Sequence, residues 1–241
     1  MERTPEPELM DGPQQALAYA QADFSAGDQA LVERLVALFP EGLGGQLLDL
    51  GCGPGNIALR LVALNSKSFV VGLDGAPAML ALAEQALQQL RRRQPAAAQR
   101  LCFVQALLPT SQPASKLAPH LAPQLDRGFS AVVCNSLLHH LHDPQVLWNS
   151  MRQLAGPGAA VYVKDLRRPA SPEAALVLRD RYLADAPLVL QRDYVASLHA
   201  AFRPAEVVQQ LQRAQLAEHL QVGELDDRYL EVWGRLPGRL D

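Results

Sequence analysis

The stretch Leu47-Leu48-Asp49-Leu50-Gly51-Cys52-Gly53-Pro54-Gly55 constrains the fold more than any other part of the chain. A short aliphatic run ends in three glycines within five residues, and Asn56–Leu64 then resumes apolar residues at helical spacing. Glycines lack a Cβ, so the backbone can turn tightly there and come close to a ligand. Strand, glycine loop and helix together open a βαβ unit. Phe69-Val70-Val71-Gly72-Leu73, ended by Asp74, reads as a second buried strand. Pro77 then stands where the first residue of a helix would, and Ala78–Leu90 is rich in alanine and leucine. Leu101–Val104 is a third strand, Ser130–Cys134 a fourth and Ala159–Val163 a fifth, with a helix around Asp143–Leu154. Residues 172–201 and Pro204–Ala214 read as helices, and His219–Val222 with Tyr229–Gly234 as a closing hairpin. Strands alternating with helices predict an α/β chain with a doubly wound, mostly parallel sheet. Ligands of such sheets bind beyond the carboxyl ends of the strands, so function is to be sought there.

A length of 241 residues, 49% hydrophobic and 20% charged, suits one domain spanning 1–241. Residues 1–45 lead into the first strand. Residues 13–39 have apolar positions at helical spacing, with a turn or cap expected at Ser25-Ala26-Gly27-Asp28. Residues 107–127 hold Pro109, Pro113, Pro119 and Pro123, an insertion with room for a short helix at most. A net charge of -3 carries no footprint for nucleic acid. The basic run Arg91-Arg92-Arg93 ends a predicted helix, where it complements the dipole. Three cysteines without CxxC spacing exclude a disulfide framework or a cysteine zinc site, and Cys102 and Cys134 read as core thiols. Met1–Gly12 lacks the basic start and apolar stretch of a signal peptide, and no window is apolar enough for a membrane helix. A cytoplasmic setting without membrane or nucleic-acid partners is expected, compatible with a homodimer.

The glycine spacing is GxGxG. A dinucleotide fingerprint would need its third glycine at position 56, where Asn56 stands. Asp49, two residues before the loop, suits a cationic ligand better than a pyrophosphate. With its aliphatic strand, the loop resembles motif I of class I S-adenosylmethionine-dependent methyltransferases. That resemblance implies a Rossmann-like, seven-stranded sheet with helices on both faces and S-adenosylmethionine as cofactor. It places Gly51, Cys52, Gly53 and Gly55 against the donor and assigns Asp49 to its amino group. Asp74 would accept both ribose hydroxyls, although an acid there serves NAD equally. Gly75 and Met79 resemble the family's second motif, with Met79 against the adenine.

After the third strand the family's acidic pair is missing. Gln105 or a backbone carbonyl is left to read the adenine edge, with Ala106 and Leu107 as walls. Asn135-Ser136-Leu137-Leu138-His139-His140-Leu141-His142-Asp143-Pro144 resembles the LHHLxDP stretch of small-molecule methyltransferases of the ubiquinone-biosynthesis type. Asn135 then lines the donor's methionine end, and His139 or His140 faces the acceptor as the candidate base. Adjacent histidines point in different directions, so no metal is expected from them. Lys164, Asp165 and Arg168 stand at the family's substrate-side turn. Asp165 and Arg168 are able to pair with each other, and a buried strand-end lysine needs Asp165, Asp49 or a substrate anion. Tyr19 and Phe24 fall in a segment that folds over the donor as a lid in this family. Residues 170–203 would form the acceptor side.

The implied activity is methyl transfer to a small-molecule acceptor by in-line displacement. Its rivals are a non-catalytic donor-binding relative and, against the position of Asn56, an NAD(P)-dependent oxidoreductase.

Overall fold

The computed structural model describes residues 1–7, 12, 18, 22–110, 114–118, 125 and 127–238. Its centre is one seven-stranded sheet of order β3-β2-β1-β4-β5-β7-β6. The strands are β1 (Gln46–Leu50), β2 (Phe69–Asp74), β3 (Leu101–Gln105), β4 (Phe129–Asn135), β5 (Ala155–Leu166), β6 (Leu220–Glu224) and β7 (Tyr229–Arg235). The first five pair in parallel, while β7 runs antiparallel between β5 and β6. Strand order reverses between β1 and β4, which places the ligand crevice beyond Leu50 and Asn135.

Side chains alternate across each strand, and the sequence supplies apolar residues at both parities. Leu48, Leu50, Val71, Val132 and Val161 pack with Trp148 and Met151 on one face. Leu47, Val70, Ala131, Val133 and Tyr162 pack on the other with Leu31, Leu35, Ile57 and Leu61. Asp49 shares its parity with Leu47, which carries its carboxylate toward the helices after residue 25.

Those helices are α1 (Ser25–Leu38) and α2 (Asn56–Leu64), followed by α3 (Pro77–Arg93) and two single turns, α4 (Pro95–Ala98) and α5 (Ala114–Leu117). Then come α6 (Gln145–Leu154), α7 (Pro172–Leu183), α8 (Leu188–Ala200) and α9 (Pro204–Arg213). Three differences from the sequence reading have physical causes. Ser25–Asp28 is the first turn of α1 and no interruption, because the Asp23 carboxylate caps Ser25 from outside through its N–H (2.9 Å) and hydroxyl (2.5 Å). Residues 172–201 form two helices, since Pro187 fixes an extended backbone before α8. Strand β5 starts at Ala155, four residues early, with an irregular register opposite Phe129 and Ala131. The arginines 91–93 do end α3. Cys52 and Cys134 are buried and Cys102 half-buried, its thiol pushed up to about 11 by burial. No helix among the described residues is long and apolar enough to cross a membrane.

Candidate active site

The turn after β1 is held by β2 next to it. Gly51 and Cys52 donate their N–H groups to the Leu73 carbonyl at 2.8 and 3.0 Å. Asp74 takes the Gly53 N–H on Oδ2 and the Ala76 N–H on Oδ1, each at 2.8 Å. Each oxygen keeps a second lone pair, a geometry suited to a pair of vicinal hydroxyls. Burial lifts the Asp74 carboxyl, and those backbone donors pull it back down.

Two glycines of the loop do different work. A Cβ on Gly53 (φ +52°) would meet no heavy atom within 4 Å, so this residue faces open space. A Cβ on Gly55 (φ +86°) would stand 2.6 Å from the Phe103 ring, and Gly55 does not line the cavity. Gly55 is thus required by packing at the start of α2, a correction to its expected place against the donor.

Above the loop lies a cavity of about 320 Å³ walled by Gly51, Cys52, Gly53, Asp74, Gly75 and Met79, with Ala106, Leu107 and Leu108 opposite. The start of the insertion therefore closes this end of the cavity. Gln105 is exposed and does not line it, leaving that end to apolar and backbone groups. At the other end sit Asp49, Asn135 and Asp28. Asp49 is buried, and burial pushes its carboxyl to about 7 although the Ala58 backbone hydrogen bond lowers it. Asp49 Oδ2 and Asn135 Oδ1 lack hydrogen-bond partners among the described residues, while Asp28 Oδ2 is ion-paired with Arg60 at 3.6 Å. Two buried, unsatisfied acceptors beside a third carboxylate call for a donor-rich cation. Asp28 was not singled out from sequence. The available signal was its place three, four and seven residues before the buried Leu31, Val32 and Leu35, an acid on an apolar stripe.

A larger cavity of about 930 Å³ adjoins the first, and the two share Asp28, Asn135, Ser136 and His140 as a common wall. Ser136 holds φ +56°, a sparsely populated conformation for a residue with a side chain. The larger space takes in Phe24 and His139, then Tyr182, Pro187 and Tyr194 from α7, α8 and the turn between them, and Arg228 and Tyr229 at the start of β7. Phe24 thus faces this second space and not the donor cavity. Tyr19 lies outside the described residues. Lys164 lies here with Nζ 4.2 Å above the Tyr229 ring, while Arg228 stacks 3.6 Å above the Tyr182 ring. None of the ion pairs among the described residues involves either cation. Burial, with Arg228 adding to it, lowers the Lys164 ammonium below its usual value. Tyr194 Oη and Arg228 Nε are buried, and the two side chains interact with each other.

Asp165 and Arg168 do not pair and line neither cavity. Asp165 accepts the Leu138 N–H on Oδ2 (2.7 Å) and meets His139 Nδ1 on Oδ1 (2.5 Å), so it positions the histidine turn Leu138–His140. Arg168 is buried and reaches the Ala201 carbonyl (2.9 Å) and Glu206 (2.5 Å), joining the end of β5 to α9. Strand β5 runs on to Leu166, so alternation carries Lys164 and Leu166 into the larger cavity and Asp165 to the opposite face.

The first seven residues also reach the site. Arg3 donates to the carbonyls of Ala200, His139 and Leu141 and stacks 4.0 Å over Phe202. Glu6 accepts the Ser197 hydroxyl at 3.0 Å, and its Oε1 lies 3.5 Å from His139 Nε2 and 3.2 Å from His140 Nδ1. Burial lifts the Glu6 carboxyl, against the pull of His139. Burial disfavours charge on His139, but Asp165 and Glu6 outweigh it and hold its pKa above the ordinary value. Burial and the adjacent His139 press His140 down to about 3.

Residues 48–161 match the family described as Methyltransferase domain. The chain is 34% identical over 133 residues to the trans-aconitate 2-methyltransferase of Azoarcus sp., covering 52% of this chain and 51% of that protein. It is 27% identical over 177 residues to the ubiquinone biosynthesis O-methyltransferase of Xanthomonas campestris, covering 72% and 62%. It thus spans about half the length of the first relative and under two thirds of the second. In shape it resembles the plantazolicin methyltransferase BamL in complex with a triazolic desmethylPZN analog and SAH (TM-score 0.65, 13% identity, 93% of this chain and 91% of that one). A SAM-dependent methyltransferase from Aquifex aeolicus gives a TM-score of 0.62 at 14% identity, covering 93% and 98%. The likeness to methyltransferases thus covers residues 48–161 in sequence and 93% of the chain in fold.

Proposed function

We propose that the chain transfers the methyl group of S-adenosylmethionine to a small, anionic acceptor. The observation that carries this reading is the wall shared by the two cavities, because a methyl group passing between two ligands needs one continuous space. The unsatisfied oxygens of Asp49 and Asn135 fit the donor's ammonium, Asp74 its ribose diol, and Gly53 its close approach to the backbone. When bound, the sulfonium supplies both the activated methyl group and its leaving group. The protein's own contribution is alignment and exclusion of water. Met79, Leu107 and Leu108 wall off the flat end of the donor space, and Asn135 and Ser136 fix the boundary where the acceptor must arrive.

An anionic acceptor follows from the far side. Lys164 and Arg228 bring two cations outside any ion pair among the described residues to the larger cavity, next to the Tyr194 hydroxyl. Neither histidine is poised to take a proton. His140 is too weakly basic at about 3, and His139 is taken up by Asp165 on Nδ1. An acceptor already ionised, such as a carboxylate, attacks without a base. The Azoarcus relative is named for the tricarboxylate trans-aconitate, which agrees with this reading.

The test is calorimetric titration of S-adenosylmethionine, followed by S-adenosylhomocysteine release with di- and tricarboxylates and with their amides. Saturable binding and turnover with acids alone are expected. Absence of donor binding at millimolar concentration overturns the reading.

A further inference from the structure

Glu6, His139 and His140 take no chemical step in the proposed transfer, yet they converge inside the protein. No metal was expected from the sequence, because adjacent histidines point in different directions. The third group arrives from 133 residues away, on a segment that Arg3 pins to the histidine turn. We propose that Glu6 Oε1, His139 Nε2 and His140 Nδ1 form a three-ligand site for a divalent cation of the zinc class.

Three observations support the assignment. The first is spacing. Ligand atoms about 2.0–2.1 Å from a tetrahedral ion lie about 3.4 Å from one another. Glu6 Oε1 stands 3.5 Å from one histidine nitrogen and 3.2 Å from the other, and the three ligand atoms all lie within 4.8 Å of one another.

The second is the state of the nitrogens. His140 Nδ1 is buried and has no hydrogen-bond partner, although Glu6 is near. A neutral imidazole, favoured here because burial presses His140 down, keeps a lone pair on one ring nitrogen, available to an ion. An ion pair between Glu6 and His139 accounts for their contact but leaves His140 Nδ1 unexplained.

The third is the outer shell. Metal-binding histidines give their second N–H to a carboxylate, which fixes tautomer and ring angle. His139 Nδ1 meets Asp165 at 2.5 Å, and Asp165 is itself fixed by the Leu138 N–H. The Ser197 hydroxyl holds Glu6 in the same way. Both histidines line the larger cavity, so a fourth ligand position is reachable from there. Imidazole and carboxylate donors suit zinc, cobalt or nickel better than magnesium or calcium.

The proposal stands independently of methyl transfer. The whole chain is stripped with a chelator and titrated with cobalt(II), followed by zinc(II). One equivalent of cobalt bound at micromolar concentration, with the strong visible absorption of a four- or five-coordinate ion and displacement by zinc, is expected. Glu6→Gln should weaken binding at least 30-fold, and Asp165→Asn by about 10–100-fold. Affinity for S-adenosylhomocysteine within threefold of the parent reports that each variant is folded. If a variant fails that control, X-ray absorption at the zinc edge of the unmodified chain decides, with two imidazoles and one further oxygen or more expected. No bound equivalent, a weak octahedral cobalt spectrum, a zinc edge without imidazole, or equal affinity in a folded Glu6→Gln overturns the proposal. Loss of donor binding in the parent chain would refute the methyltransferase reading and leave this one standing.

Discussion

The donor side and the acceptor side of the site are built in opposite ways. The smaller cavity is built mainly on consecutive residues at the ends of β1 and β2, where backbone N–H groups fix the loop and two aspartates face the space. The larger cavity is assembled from residues 24, 139, 164, 194 and 228, carried by five separate segments, with side chains doing the recognising. A local site survives sequence change only if its few residues stay. A dispersed site is free to change one segment at a time, which is how one fold serves many acceptors.

The sharpest way to break this contrast is Asp74→Ala. Its carboxylate takes two backbone N–H groups and is assigned the ribose diol, so removal both loosens the loop and deletes the ligand bonds. Hydrogen bonds to charged groups contribute about 1.5–3 kcal/mol each, which predicts a loss of about 100-fold or more in S-adenosylhomocysteine affinity. Calorimetry showing less than tenfold would mean the donor side is not local.

Asp49→Asn should move stability and binding in opposite directions. The folded pKa of about 7 lies above that of an unfolded aspartate, so the unfolded chain holds fewer protons between roughly pH 4 and 7. Stability from this group is therefore present at low pH and lost as pH rises through 7. The asparagine variant should melt later than the parent at pH 8 without donor, by about 2–4 kcal/mol at most. Donor affinity should fall at least tenfold, since the cation loses its carboxylate. In the parent, affinity should rise between pH 6 and 8 as Asp49 ionises, and the variant should lose that slope. A parallel change in melting and binding would remove Asp49 from the site.

A pair of glycine substitutions separates ligand contact from packing. Gly55→Ala drives a Cβ into the Phe103 ring and should cost about 2–3 kcal/mol of stability. Gly53→Ala has room for its methyl group and should cost about 1 kcal/mol, the left-handed backbone penalty, while weakening donor binding more than its neighbour does. Equal effects on melting would refute the division.

The same division explains what could be read in the sequence. The succession of strands and helices and the donor loop were legible because apolar periodicity and glycine spacing are local properties, carried by residues such as Leu48, Gly51 and Asp74. Gly55 was read as a ligand contact because spacing alone does not reveal that Phe103 stands behind it. Arg168 and Asp165 were read as a pair because they are three residues apart. Tertiary contacts with Glu206 and His139 outcompete that turn. Glu6 and Arg228 were invisible, since each acquires meaning only from residues far along the chain. Asp28 lay between the two cases, its apolar neighbours legible but its partner space not.

The smallest effect expected on the donor side is that of Lys164→Met. The ammonium sits 4.2 Å over the Tyr229 ring in a buried position, held without a carboxylate. Methionine keeps the length and the apolar contact and removes the desolvation cost, so stability should stay within about 1 kcal/mol or rise. S-adenosylhomocysteine affinity should change less than twofold, because Lys164 does not line the donor cavity. Turnover with a carboxylate acceptor should drop through KM, by about 10-fold for one charge-assisted bond. Arg228→Met should behave alike, with the pair less than additive if both cations grip one anion. If either variant weakens donor binding tenfold, the two sides are a single site, and the contrast between local and dispersed construction fails.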